Sequence, residues 1–198
     1  MAQTDSTEKR RYRMRKRQED VGETRARIVN AAVELHGSVG PQHTTFSAVA
    51  ERAGVQRSTV YRHFSDEEAL FGACTSHWLA GHPWPRPDRW REEADPAERL
   101  GRGLRDLYVY YEENEQMIAN SFRDIALMPA FVGEFMRAQL QAMHAALLEP
   151  WPGQGDDRRL SAAVSHALDF RTWQSLTGAG LTSKDAASLM SAMVACVA

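Results

Sequence analysis

Apolar residues recur at helical spacing through the first third of this chain. Between Thr24 and His36, Ile28, Val29, Ala32, Val33 and Leu35 share one side, which predicts an amphipathic helix ended by Gly37 and Gly40-Pro41. Phe46, Val49, Ala50 and Ala53 then stand at i, i+3, i+4 and i+7, behind a Thr45 able to cap the first free N–H groups. Gly54 follows where the chain must turn, since glycine enters positive φ without steric cost, and Val55 is expected as a buried hinge. Val60 and Phe64 lie four apart and predict a second short helix facing back on the first. Ser65-Asp66-Glu67-Glu68 reads as a capping box, with Ser65 as cap and a further helix behind it.

The remainder is also helical in pattern, so the fold class is all-α. Prolines and tryptophans crowd the stretch from Trp78 to Asp95, which predicts a loop or the frayed end of the helix starting at Ser65. Pro96 suits a first helical turn, and Leu100, Leu104, Leu107, Tyr108 and Tyr111 continue that helix to about Asn114. Further helices are expected over Gln116 to Leu127, stopping at Pro129, and over Phe131 to Leu148, ended by Pro150-Trp151-Pro152-Gly153. Gln154-Gly155-Asp156-Asp157 reads as an exposed loop. Two small-residue helices follow, over Arg159 to Gly178 and Ser183 to Val197, the second striped by Ala186, Leu189, Met190, Met193, Val194 and Val197.

The outward flank of the second short helix gives the pattern a chemistry. Gln56, Arg57, Ser58, Thr59, Tyr61, Arg62 and His63 concentrate donors and acceptors suited to base edges and phosphates. Two short helices joined by a glycine turn are the layout of a helix-turn-helix, whose second helix enters the DNA major groove. Charge agrees with that placement. The net charge is −2, yet residues 1–64 carry 12 Lys and Arg against 7 Asp and Glu, while residues 65–198 carry 12 against 19. A basic front and an acidic back suit one end facing DNA and another avoiding it. Lys9, Arg10, Arg11, Arg13, Arg15, Lys16 and Arg17 predict a disordered basic arm over residues 1–20, with Arg10, Arg11 and Arg13 as DNA contacts.

Other chemistries find little support. Cys74 and Cys196 give no disulfide framework, no apolar run reaches membrane-spanning length, and no secretory h-region follows the basic start, so a cytoplasmic protein is expected. Cys74, His77 and His82 lack a fourth ligand for zinc, and His166 and Asp169 have no nucleophile beside them. Gly178-Ala179-Gly180 reads as a helix end, not a phosphate loop. No cofactor, no metal site and no enzymatic activity are expected.

Thr24 to Ala32, Thr44-Thr45-Phe46 with Val49-Ala50, and Ala53-Gly54-Val55 through Thr59-Val60-Tyr61-Arg62-His63-Phe64 resemble the TetR family of bacterial transcription regulators over residues 21–71. The resemblance implies a helix-turn-helix domain over 21–71 and a helical regulatory and dimerisation domain over 72–198. It places Gln56, Arg57 and Ser58 at bases, Thr59, Tyr61 and His63 at phosphates, and Thr45 as a cap beside the DNA backbone. Ser47 and Arg62 join that set, although Ser47 is shorter than the side chain frequent at its place. Glu67 stands where many members carry a phosphate-binding lysine, and His36 stands for an aromatic of the first helix. Asp169 to Leu176 is similar to a segment of regulators whose last two helices form a dimeric four-helix bundle. A pocket for an unidentified small-molecule inducer is implied too, with Trp78, Tyr108, Phe122, Met136, His144 and Trp173 as candidates and Arg123 and Asp124 as further polar anchors. The function so implied is a ligand-responsive, sequence-specific regulator, a repressor released from an inverted-repeat operator. The alternative is a helical small-molecule-binding or interaction protein, or an enzyme, retaining a helix-turn-helix that does not read DNA.

Overall fold

The computed structural model describes residues 2–151 and 158–198, with the side chains of the first helix described from Arg10 onward. The expected loop over 154–157 lies outside the described residues. The helices are α1 (Ala2–Ser38), α2 (Phe46–Ala53), α3 (Arg57–His63), α4 (Glu67–Gly81), α5 (Pro87–Trp90), α6 (Pro96–Glu113), α7 (Glu115–Asp124), α8 (Ala130–Leu148), α9 (Arg158–Leu168), α10 (Phe170–Gly178) and α11 (Ser183–Ala195). Short 3-10 turns cover Pro41–His43 and Ile125–Leu127. Among the described residues no helix is long and apolar enough to cross a membrane.

The chain divides into two compact units, residues 1–81 with 120–129, and residues 82–119 with 130–198. The boundary expected at 71/72 therefore falls after Gly81, because α4 continues through Leu70 and Cys74, both buried in the first core. The end of α7 and the turn after it also belong to that first unit.

In the first unit, Ile28, Val29, Ala31 and Ala32 of α1 meet Phe46, Val49, Ala50 and Ala53 of α2, Val60 and Phe64 at α3, and Leu70 and Cys74 of α4. Burial of each larger side chain contributes about 1.5–3 kcal/mol. Cys74 lies in this core with Sγ 3.9 Å from the Val29 carbonyl, while His77 is exposed, and no cluster of three metal-ligating side chains occurs among the described residues.

The expectation of a disordered arm is corrected, since α1 runs unbroken from Ala2. Residues 8–19 are almost all strong helix formers without Gly or Pro, and Arg15 pairs with Glu19 one turn on at 3.4 Å. The cap of α4 is also corrected. Asp66 accepts from the Ala69 N–H at 2.8 Å, and the Ser65 hydroxyl donates to Asp66 at 2.9 Å. A carboxylate at a helix start gains from the dipole as well as the hydrogen bond, so it takes the cap position.

His36 packs as a core ring, stacked on Phe71 at 4.5 Å between centroids. Burial lowers its pKa from 6.5 to about 4. The unfolded chain therefore binds this proton across that window and the folded one does not, so stability is lost as pH falls from 6.5 toward 4. Between pH 7 and pH 5 the expected loss is roughly 2 kcal/mol. Urea melts at both values should show it, and His36→Phe should abolish that component. A His36→Phe protein with the same acid loss would refute this assignment.

In the second unit, α6 is the central helix, with Leu100, Leu104, Leu107, Tyr108 and Tyr111 fully buried and α11 as its main neighbour. The stretch expected as a loop contains α5, whose Trp90 is fully buried and donates from Nε1 to Asp106 at 2.8 Å. Buried Arg99 donates to the carbonyls of Glu93, Arg91 and Ala146 and to the Glu149 carboxylate, and so ties this stretch to the end of α8.

The single helix expected over 159–178 is broken. Asp169 ends α9 and caps α10, accepting from the Arg171 N–H at 2.7 Å. The carbonyls freed at the break are taken by two tyrosines of α6. Tyr108 donates to Ala167 at 2.9 Å and Tyr111 to Leu168 at 2.7 Å. Each is an acceptor that a continuous helix would have satisfied. His166 does not face Asp169 with its ring, which meets the Thr172 hydroxyl at 3.3 Å.

Candidate nucleic-acid interface

The outward face of α3 is built on a firm base. The Thr45 side chain accepts from the Ala48 N–H at 3.2 Å and starts α2. Gly54 ends it at φ 65° and ψ 38°, the left-handed region that favours glycine. Val60 and Phe64 are then driven into the core at 0% and 2% exposure, which fixes the rotation of α3 about its axis. That rotation leaves Gln56, Arg57, Ser58, Tyr61 and Arg62 exposed, with Thr59 and His63 half-buried at the flanks and Ser47 exposed on α2.

Tyr61 lies against Phe46, ring centroids 4.8 Å apart, while 48% of it remains exposed. The Arg57 guanidinium sits over the Tyr61 ring at 5.5 Å and donates to its hydroxyl at 3.1 Å. This holds a planar donor fork at the start of α3 before any partner arrives. Arg52, by contrast, is held by Glu34 at 2.7 Å.

One contributor is not recognisable in the sequence. Arg25 of α1 stands over the Phe64 ring at 4.8 Å. Burial first, then the charges of Arg62 and Arg25, lower the pKa of His63. Three basic groups thus gather at the end of α3, and an anion seated there would relieve their mutual repulsion. Periodicity marks Arg25 only as a solvated position on α1; its neighbourhood with Phe64 exists only in the packed unit. Arg10, Arg11 and Arg13 are exposed on α1, with Arg10 and Arg13 on one helical face.

The candidate inducer-pocket residues are divided between the two units. Trp78 and Phe122 fall in the first unit, while Tyr108, Met136, His144 and Trp173 fall in the second. Tyr108 and Trp173 are core side chains with protein partners, Trp173 donating to the Ser183 hydroxyl at 3.0 Å. Met136 and His144 are half-buried on α8. Arg123 and Asp124 pair with each other at 2.7 Å within the first unit.

Residues 28–74 match the family model described as bacterial regulatory proteins, tetR family. The HTH-type transcriptional regulator TtgR of Pseudomonas putida is 33% identical over 96 residues, 48% of this chain and 46% of that protein. The class A tetracycline repressor protein from transposon 1721 of Escherichia coli is 38% identical over 68 residues, 32% of each chain. The chain thus aligns with about half, or less, of the length of these curated relatives. A crystal structure of a tetR-family transcriptional regulator from Streptomyces coelicolor shares the fold with a TM-score of 0.63 at 18% identity, covering 89% of this chain and 80% of that one. With the helix-turn-helix geometry of α2 and α3, these likenesses show that residues 28–74 are similar to the DNA-binding region of the tetR family of bacterial regulatory proteins, and that the chain shares the fold of a solved member.

Proposed function

We propose that this protein is a sequence-specific DNA-binding regulator of transcription, a repressor released from an inverted-repeat operator by a small molecule. The observation that carries the reading is the anchoring of Val60 and Phe64, which turns Gln56, Arg57, Ser58 and Tyr61 outward together. Gln56, Arg57 and Ser58 read bases, with Ser47 beside them. Thr45, Thr59, Tyr61, Arg62 and His63 hold phosphates, and Arg25 joins that group. The names of the relatives, a transcriptional regulator and a tetracycline repressor, support the same reading.

Two copies are required, because a palindromic site matches a two-fold axis. The last helices suit that seam: α11 leaves Leu189 and Met193, one turn apart, 42% and 53% exposed. The inducer acts by binding two spacings of the reading heads with unequal affinity, since equal affinity would shift nothing. The rival reading, a helical binding protein or enzyme with an unused helix-turn-helix, predicts no DNA preference.

Selection of bound duplexes from a random pool tests this directly. The expected product is an inverted repeat with half-site centres about 10 base pairs apart, or a multiple of that. No sequence enrichment would defeat the proposal. On the selected duplex, removing residues 1–17 should weaken binding and flatten the dependence of log K on log salt by about 0.9 for each phosphate no longer neutralised. An unchanged slope would take Arg10, Arg11 and Arg13 out of the interface.

A further inference from the structure

The second unit holds a cavity of about 460 Å³ between α8 and the break joining α9 to α10. Four residues of α8 line it on one face, Arg137, Leu140, Gln141 and His144, opposite Ser165, Leu168 and Asp169. The volume is that of a drug-sized ligand site.

The polar groups there are unevenly committed. Arg137 and Gln141 have no hydrogen-bond or ion-pair partner among the described residues, so a guanidinium fork and a carboxamide stand open. His144 Nε2 lies 3.1 Å from the Ser161 carbonyl. The Ser161 hydroxyl lies 3.3 Å from the same nitrogen. In the tautomer whose Nε2 donates to the carbonyl, Nδ1 is left as an acceptor. Asp169 uses one oxygen to cap α10 and keeps the other. Arg137 and His144 are two turns apart, about 10 Å along the helix, with Leu140 between them.

We infer that this cavity binds a small amphipathic carboxylic acid bearing a hydroxyl at its far end. The carboxylate pairs with the Arg137 fork, the apolar body lies on Leu140 and Leu168, and the hydroxyl donates to His144 Nδ1 or the Asp169 carboxylate. A polyanion is disfavoured by Asp169, a cation by Arg137, and a plain hydrocarbon would dry these polar groups without replacing their hydrogen bonds. The inference rests on the proposed ligand response of this unit but not on its DNA reading.

The probe is 3-(4-hydroxyphenyl)propanoate, whose two polar ends span about the same length, titrated calorimetrically into the full chain. Saturable binding is expected, weakened about tenfold or more in its methyl ester and in the Arg137→Gln protein. 3-Phenylpropanoate, lacking the hydroxyl, should also bind more weakly. Gln141→Trp, at an exposed position, should block the cavity without unfolding the protein, checked by circular dichroism. Binding indifferent to both substitutions would overturn the assignment, as would no binding up to about 10 mM. Binding that follows the expected order while operator affinity stays unchanged would uphold the site and defeat the regulatory reading instead.

Discussion

Replacing Arg57 with alanine is expected to weaken binding to the selected operator by about 1–3 kcal/mol, roughly 5- to 150-fold, and to relax preference at one base pair of each half-site. The size follows from what Arg57 offers. Its guanidinium is already oriented over the Tyr61 ring, so little side-chain freedom remains to be lost when it docks. Arg57→Lys should not restore the preference, because a point charge cannot reproduce the paired donors of the fork. Tyr61→Phe keeps the ring against Phe46 but removes the hydroxyl that accepts from Arg57, so affinity should fall with folding stability unchanged. Fluorescence anisotropy at one fixed salt concentration measures all three. Unaltered affinity and base preference in Arg57→Ala would remove this side chain from DNA reading.

Asp124→Ala is expected to lower the unfolding free energy by about 2 kcal/mol. Asp124 is 2% exposed, accepts from the Gln42 N–H at 3.1 Å, and is gripped by Arg123 at 2.7 and 2.9 Å. Arg123 also donates to the Val39 carbonyl, and Asn120 donates to the carbonyls of His36 and Gly37. Residues 120–124 therefore close the C-terminal end of α1 and the turn behind it. Gly40 sits inside this closure at φ 95°, where a Cβ would collide with Arg123 and Asp124. Alanine at 124 leaves the Gln42 N–H without its acceptor, whereas Asp124→Asn keeps one and should cost less. The Arg123 hydrogen bond, ahead of that from Gln42, holds the Asp124 carboxyl below its ordinary pKa. Its contribution is complete above the ordinary carboxylate range and is lost as pH falls through the depressed value, so Asp124→Ala should lack that acid loss. Urea unfolding of the three proteins at neutral and acid pH provides the check; equal stability throughout would show the closure to be idle.

The helix-turn-helix was legible because each of its determinants is local. Thr45, Gly54 and the stripe from Phe46 to Ala53 lie within ten residues of one another, and a cap, a left-handed turn and a buried face need nothing more distant. The outward set on α3 followed by subtraction, once Val60 and Phe64 were placed inward. Local reading misjudged residues 1–20, where charge suggested disorder although the helix propensity of those residues favours extending α1. It also chose Ser65 over Asp66 as a cap, since both fit the same pattern and only the hydrogen bonds distinguish them.

By itself, then, the order of residues determined the all-helical class, the short helix α3 and the side chains it turns outward, because helical periodicity and capping act over three or four positions. Packing decided the rest. The break at Asp169 requires Tyr108 and Tyr111, some sixty residues away, to take up the carbonyls it frees. The closure at Gly40 requires Asp124, and the basic cluster at His63 requires Arg25. Each depends on a partner whose distance along the chain carries no information about its distance in space.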